Sequence, residues 1–255
     1  IGIIGYGQIG SYVVKRLQER KDIVVAFVHD QDQSRLDDLP GEIILEDLSR
    51  FEQREVDLVC ELAHPEVSTK WGRRILESVD YLMLSVTALA SEALYKTLTD
   101  TALAARTKLF IAHGGVMGLD AIIDGREMWE DVTMEMRKHP ANLDFTVSGM
   151  NPDIQEETVL YDGATRDLCS LFPRNVNTHA TLALAGIGFD RTHSVLIADP
   201  RTSSATLSVT AEGGGVDLRL SRQEKITGVS GASTPWSVYK SIVNVGDENP
   251  GMHFC

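Results

Sequence analysis

The stretch Ile1-Gly-Ile-Ile-Gly-Tyr-Gly-Gln-Ile-Gly10, continued by Ser-Tyr-Val-Val-Lys-Arg-Leu17, decides the fold. A short apolar run enters glycines at Gly5, Gly7 and Gly10, and the residues after them place apolar side chains at helical spacing. This is strand, tight turn, helix. Gly5 permits the turn and Gly7 lets the backbone approach a pyrophosphate. Gly10 lets helix and strand pack closely, and Gln8 and Ile9 open the helix whose N-terminus faces the phosphates.

The next segment supplies the context that such glycines need. Asp22-Ile-Val-Val-Ala-Phe-Val28 reads as a second strand ending at His29-Asp30, with Asp30 about 20 residues past the last glycine. A carboxylate there is expected to bind the adenosine ribose hydroxyls and to repel a 2'-phosphate. NAD is favoured, while Arg35 close by keeps NADP open.

Working outward, strand and helix keep alternating: Val56–Leu62 as strand, Pro65–Leu76 as helix, Tyr81–Ser85 as strand, Ser91–Leu98 as helix and Lys108–Ala112 as strand. The alternation predicts an α/β protein with an N-terminal Rossmann-type, doubly wound parallel sheet. Ligands in such sheets lie beyond the carboxyl ends of the strands, which puts Glu61, His64, Ser85, Thr87 and His113-Gly-Gly115 near the cofactor. Glu61 has the alternative of capping or pairing at its strand end, and His64, before Pro65, that of shaping a helix start.

After residue 120 the pattern changes. A helix is expected through about Met128, and from Val132 onward several segments alternate with period two. The second domain therefore reads as α+β on an open, mixed sheet. Residues 1–120 form the dinucleotide-binding domain, completed by a helix within about 225–255 that starts at Ser233-Thr-Pro and packs back on it. Residues 121–224 form the substrate and dimerisation domain. Glu212-Gly-Gly-Gly215 reads as a hairpin turn because no helix follows it. In Leu171-Phe-Pro-Arg-Asn-Val-Asn-Thr-His179, Asn175, Asn177 and Thr178 suit a helix cap. Arg174, Asn175, Asn177 and His179 crowded at one helix start also offer donors to an anionic substrate and to a nicotinamide carboxamide.

A net charge of -13 over 255 residues repels phosphate backbones, so nucleic acid is not an expected partner. No apolar run reaches the roughly 20 residues of a membrane span. Cys60, Cys169 and Cys255 show no spacing for zinc or disulfides, which fits a reducing cytoplasm and no metal. No signal peptide is visible, and because numbering starts inside an apolar run, a few residues are expected in front of Ile1.

At this point the chain resembles the L-aspartate dehydrogenase family, including its animal branch of aspartate dehydrogenase domain-containing proteins. The likeness is carried by Gly5-Tyr-Gly-Gln-Ile-Gly10, Glu61-Leu-Ala-His-Pro65, Gly114-Gly-Val-Met-Gly-Leu-Asp120, Leu171-Phe-Pro-Arg-Asn-Val-Asn177 and Ala198-Asp-Pro200, and the closing Gly251-Met-His-Phe-Cys255 resembles the animal branch. The resemblance implies NAD(P)-dependent oxidative deamination of L-aspartate to an imino acid, which hydrolyses to oxaloacetate and ammonia, in a homodimer. It also implies that Gly115, where relatives usually carry alanine, lies against the nicotinamide and that Asn177 contacts the cofactor.

One departure matters. The family carries a catalytic histidine on the strand after the Asp-Pro turn, and this chain has Ser204-Ala-Thr-Leu-Ser208 there, with Thr206 or Leu207 as the counterpart. A threonine hydroxyl can relay a proton but cannot hold one near neutral pH as imidazole does. Thr206 and His179 are the catalytic candidates, with Arg174, Asn175 and His113 for substrate. His193 is expected to be a surface or strand-end residue. The alternatives are a dehydrogenase for a different small amino or keto acid, or an NAD-binding module without turnover.

Overall fold

The computed structural model describes residues 1–227 and 230–246, so the closing Gly251–Cys255 lies outside the described residues. In chain order its elements are β1 (Gly2–Ile4), α1 (Gln8–Gln18), β2 (Phe27–His29), β3 (Leu58–Glu61), α2 (Pro65–Leu76), β4 (Asp80–Met83), α3 (Glu92–Ala105) and β5 (Leu109–Ile111). There follow α4 (Leu119–Asp124), β6 (Asp131–Lys138), β7 (Thr158–Ala164), α5 (Thr165–Leu171), α6 (Asn177–Ala185), β8 (His193–Ala198), β9 (Ala205–Gly213), β10 (Val216–Glu224) and α7 (Thr234–Val245).

The first five strands form a parallel sheet in the order β2-β1-β3-β4-β5. Connections leave β1 to one side and β3 to the other, so the strand order reverses between them, and a crevice opens at their carboxyl ends. A third strand beyond β2 survives only as a bridge: Ile44 pairs in parallel with Val28, and the Leu45 N–H donates to the Val28 carbonyl at 2.9 Å. Strand β2 is shorter than the sequence predicts, since Val24 is 73% exposed and stands outside the pleat.

The second sheet is mixed, in the order β10-β9-β6-β8-β7, and only β6 and β8 run parallel. Its register sorts the side chains. Val132, Met134 and Met136 on β6 stand opposite Ala211, Val209 and Leu207 on β9, and all six are buried on the face covered by helices. Thr133, Glu135 and Arg137 share the other face with Thr210, Ser208 and Thr206. The hairpin predicted at Glu212–Gly215 joins β9 to β10, and Gly213, at φ +158, passes close to the Met128 carbonyl.

Two helix expectations are corrected. The helix after residue 118 stops at Asp124 instead of reaching Met128, because the Trp129 ring folds back over Gly125 and donates from Nε1 to the Ile122 carbonyl at 2.9 Å. Helix α3 extends seven residues beyond Leu98, to Ala105, and ends where Arg106 turns left-handed at φ 60. Helix α7 starts as predicted and lays Val238, Tyr239, Ile242 and Val243 into a cluster with Val13, Val14 and Leu17 of α1. Among the described residues no helix is long and apolar enough to cross a membrane.

Candidate functional site

A cleft lies between the nucleotide-side loops and the helix-covered face of the second sheet. It is lined by Ile9, Gly114 and Gly115 on one side, by Arg174, Asn175, Asn177 and Thr178 at the start of α6, and by Met136, Lys138, Leu207, Arg222 and Glu224 from the strands.

The glycine loop fits a dinucleotide on steric grounds. At φ +102, Gly5 holds a turn that few side chains tolerate, and a Cβ on Gly10 would stand 2.0 Å from the Gly5 carbonyl oxygen. A Cβ on Gly7 would meet only Arg35 Nη1, at 3.5 Å, so Gly7 borders free space. Gly7 is also the N-cap of α1 and offers no side chain to its first-turn N–H groups, leaving these donors for a phosphate. Asp30 is buried at the end of β2; it accepts the Tyr6 N–H at 2.7 Å on Oδ2 and the Asp32 N–H at 2.9 Å on Oδ1. It fixes the glycine loop.

Glu61 is fully buried. Its carboxylate accepts the Ala63 N–H at 2.7 Å, the Ser85 N–H at 2.9 Å and the Ser85 hydroxyl at 2.9 Å. Burial pushes its carboxyl up while those donors pull it back, an environment suited to tying β3 to β4. His64 serves as the N-cap of α2, with Nδ1 accepting the Glu66 N–H at 3.3 Å. These bonds give both residues a scaffold role at the carboxyl end of β3.

The polar residues at the start of α6 are not caps. Val176 holds the N-cap position without a side-chain bond. Asn177 Oδ1 instead accepts from the N–H and hydroxyl of Thr87, each at 3.2 Å. Asn175 accepts the Asp144 N–H at 2.8 Å and donates to the Asn142 carbonyl at 3.1 Å. Arg174 pairs with Asp144 at 2.9 Å. The loops are thus bound to each other before any ligand arrives, with Asn177 and Arg174 still on the cleft wall.

The histidine candidates fall away from the cleft. His179 is completely buried and does not line it. Its Nδ1 lies 2.9 Å from Ser194 Oγ, which lies 2.7 Å from Thr165 Oγ1, which donates to the Thr192 carbonyl at 3.0 Å. Desolvation, with Lys138 adding repulsion, holds the imidazole down at about 3, so it is a neutral core histidine at physiological pH. His113 is exposed at the edge of the glycine loop, and His193 pairs with Asp162 at 2.7 Å on the surface.

Thr206 stands opposite Arg137 and Gln223, and strand alternation turns its side chain to the outer face. Leu207 occupies the cleft side, opposite Met136 and Arg222. The strand thus brings the apolar Leu207 side chain to the cleft, and Thr206 beside it also borders the cleft while its side chain alternates to the other face.

Three charged residues that the sequence reading passed over face this cleft. Lys138 follows Val132, Met134 and Met136 on the buried face of β6, where the period-two pattern could have exposed a charge on an apolar stripe. Its Nζ has one long contact, 3.4 Å to the Asn175 carbonyl. Burial pulls its ammonium down to about 8; Arg222 pulls the same way and Glu224 opposes. Arg222 and Glu224 pair with each other at 2.8 Å, and Arg222 also donates to the Gly115 carbonyl and, at 3.0 Å, to Ser233 Oγ.

Comparison with known proteins agrees with this geometry. Residues 120–245 match the family described as aspartate dehydrogenase, C-terminal, and residues 5–112 match the NAD binding domain of homoserine dehydrogenase. An aspartate dehydrogenase domain-containing protein of Danio rerio is 30% identical over 100% of this chain and 98% of its own length. An L-aspartate dehydrogenase of Methanosarcina barkeri is 33% identical over 84% of this chain and 83% of its own. The crystal structure of aspartate dehydrogenase from Thermotoga maritima shares the fold, with a TM-score of 0.74 at 22% identity over 98% of both chains. With a glycine loop built for a dinucleotide, a cleft against the second sheet and this likeness along its whole length, the chain belongs to the aspartate dehydrogenase family.

Proposed function

We propose that the chain is an NAD(P)-dependent dehydrogenase that oxidatively deaminates a small dicarboxylic amino acid, with L-aspartate as the first choice. The observation that carries this reading is the pair of guanidiniums on the cleft wall, Arg174 and Arg222: each holds one carboxylate, Asp144 and Glu224, and keeps further N–H donors for an anion. Such a wall favours an anion with two carboxylates over a neutral amino acid. An oxidised nicotinamide supplies the hydride acceptor. Gly115 borders its expected place, and a Cβ there would stand 2.7 Å from Thr178 Cγ2, so glycine is the residue that fits this packing. Asn177 and the α6 start orient the ligands, and the apolar Met136 and Leu207 keep bulk water from the reacting carbon.

Asp30 beside the ribose position supports NAD as the preferred cofactor, and Arg35, close to Gly7, leaves room for NADP. The outer face of the second sheet, which carries Glu135, Arg137 and Ser208, is the surface on which a homodimer would form, and light scattering on the purified chain tests it.

Leu207 in place of an imidazole favours a second reading, a dinucleotide-binding protein without turnover. Spectrophotometric detection of NADH with L-aspartate, L-glutamate and neutral amino acids, after NAD binding has been measured by calorimetry, separates the two. NADH formed fastest with aspartate supports the dehydrogenase; tight NAD binding with no NADH from any amino acid leaves only the second reading.

A further inference from the structure

Where the resemblance expects a histidine, the cleft has Leu207 with Thr206 beside it, and the chemistry still requires a group that exchanges protons. We propose that Lys138 performs this transfer: its amine accepts a proton from the water attacking the imine carbon and returns it to the departing nitrogen. The inference rests on the dehydrogenase reading above.

The register supports it. Arg137 stands opposite Thr206, so Lys138 is level with Ala205 on the cleft-side face, and Leu207 is its diagonal neighbour across the β6–β9 pair. Diagonal neighbours lie roughly 7–8 Å apart at Cα, a span that a four-carbon lysine stem covers. An ammonium nitrogen at 138 can thus reach the space that an imidazole at 207 would serve.

The other groups facing that space are committed. From β10, Arg222 and Glu224 hold each other at 2.8 Å. At the start of α6, Arg174 holds Asp144 at 2.9 Å. His179 of α6 lies behind that wall, off the cleft, with Nδ1 on Ser194 and its imidazole neutral. Among the described residues Lys138 makes no ion pair: its Nζ contacts the Asn175 carbonyl, and Glu224 acts on it through space while bonded to Arg222. Its lowered proton affinity, at about 8, divides it between amine and ammonium under physiological conditions, which a proton carrier needs.

The step balances. The substrate's ammonium first gives a proton to solvent; the C–H electron pair would then pass as hydride to a bound oxidised nicotinamide, leaving a protonated imine. Water oxygen bonds to the imine carbon, the C=N pair moves to nitrogen, and one water proton moves to Lys138 Nζ. That proton then passes to the nitrogen; the C–N bond breaks and ammonia leaves with its electrons. The second water proton, left on the hydroxyl, then moves to Lys138 and on to solvent as the carbonyl forms.

The test compares the wild-type protein with Lys138→Arg, Lys138→Gln and the double variant Lys138→Gln/Leu207→His, each first shown to bind NAD. In the deaminating direction kcat is expected to rise with pH through about 8, because the free amine is required. Lys138→Arg keeps the charge but cannot deprotonate, and is expected to lose about 10²–10⁴-fold in kcat with KM for aspartate changed little. Adding Leu207→His to Lys138→Gln is expected to restore part of kcat and to move the rising limb below neutrality. Independently of turnover, carbon NMR of lysine-labelled protein, with Lys138 assigned by its loss in Lys138→Gln, is expected to show a titration near pH 8.

An active wild-type protein whose Lys138→Arg variant keeps kcat and the pH profile overturns the role of Lys138 alone. So does an effect confined to KM, which would make Lys138 a carboxylate anchor, or a titration at the ordinary lysine value. A wild-type protein that binds NAD but oxidises no amino acid overturns the dehydrogenase reading, and this role with it.

Discussion

Gly7 and Gly10 differ in what they protect. A Cβ at Gly7 would touch only the tip of Arg35, and the backbone there, at φ -78, suits any residue. Gly7→Ala should therefore fold with an unchanged melting temperature while binding NAD about 10- to 100-fold more weakly, the result of about 1–3 kcal/mol of crowding against a bound pyrophosphate. Calorimetry beside thermal melts checks it, and equal NAD affinity would show that the dinucleotide does not pass over Gly7. Gly10→Ala puts a methyl 2.0 Å from a backbone oxygen and should cost folding stability first.

His179 titrates in the opposite sense from a paired histidine. Its ordinary value of 6.5 is lowered to about 3 by burial, so the folded chain holds it neutral while the unfolded chain protonates it. The stability it contributes is whole above pH 6.5 and drains away as pH falls towards 3. His179→Leu should cost about 1–3 kcal/mol at pH 7.5, where Ser194 loses a partner, and this deficit should narrow by pH 4.5. Urea midpoints across that range give the answer; parallel curves for the two proteins would rule out a buried neutral imidazole. The sequence showed a histidine beside two asparagines and suggested a site. It could not show that α6 rotates this ring away from the cleft, because its neighbours, Ser194 and Thr165, come from β8 and α5.

At the scale of elements, the strands and helices with strong local signals were legible. The glycine turn after β1, Pro65 at the first turn of α2, Pro235 in α7 and the triple glycine between β9 and β10 each announce themselves through backbone chemistry. Where a distant side chain decides, the reading failed: the Trp129 ring ends α4, and nothing local to Leu119–Asp124 predicts it. Asn175 and Asn177 suit caps by composition, yet they are drawn off by Asp144, Asn142 and Thr87, which only the fold brings near.

Helix α7 illustrates an element whose role was readable and whose energetics can be tested. Arg16 lies over the rings of Trp236 and Tyr239, at 5.3 and 5.4 Å, and Ile242, 2% exposed, sits in the cluster behind α1. Because α1 presents the phosphate-facing N-terminus, loosening α7 should be felt at the cofactor. Ile242→Ala is expected to cost about 2–5 kcal/mol by chemical denaturation and to weaken NAD binding in proportion. Full stability loss with NAD affinity untouched would show that α7 only buttresses the sheet.

At the scale of the molecule, function depends on holding two sheets at a fixed separation; an apolar cluster with Val86 and Leu89 on one side and Phe172 and Val176 on the other joins them, and polar bonds fix the cleft edge. Thr87, in the short helical turn Val86–Ala90 that follows β4, directs its hydroxyl at the Pro173 carbonyl at 2.7 Å and at Asn177 Oδ1 at 3.2 Å. Arg222 reaches from β10 to the Gly115 carbonyl. The sequence placed Thr87 near the cofactor from its strand-end position, but not its partners, which lie 86 and 90 residues away. Thr87→Val keeps the shape and removes both hydroxyl bonds, leaving a part-buried carbonyl unsatisfied at a cost of about 1–3 kcal/mol. The glycine loop, which holds the pyrophosphate end, is remote from this change, so NAD affinity should fall by no more than about threefold through Asn177, while KM for aspartate should rise by about tenfold as the start of α6 loses its anchor. Calorimetry with NAD and steady-state kinetics with aspartate separate these effects. A matched loss in both would mean that Thr87 supports the cofactor sheet itself, and no change in either would mean that the apolar cluster and Arg222 set the spacing of the cleft without it.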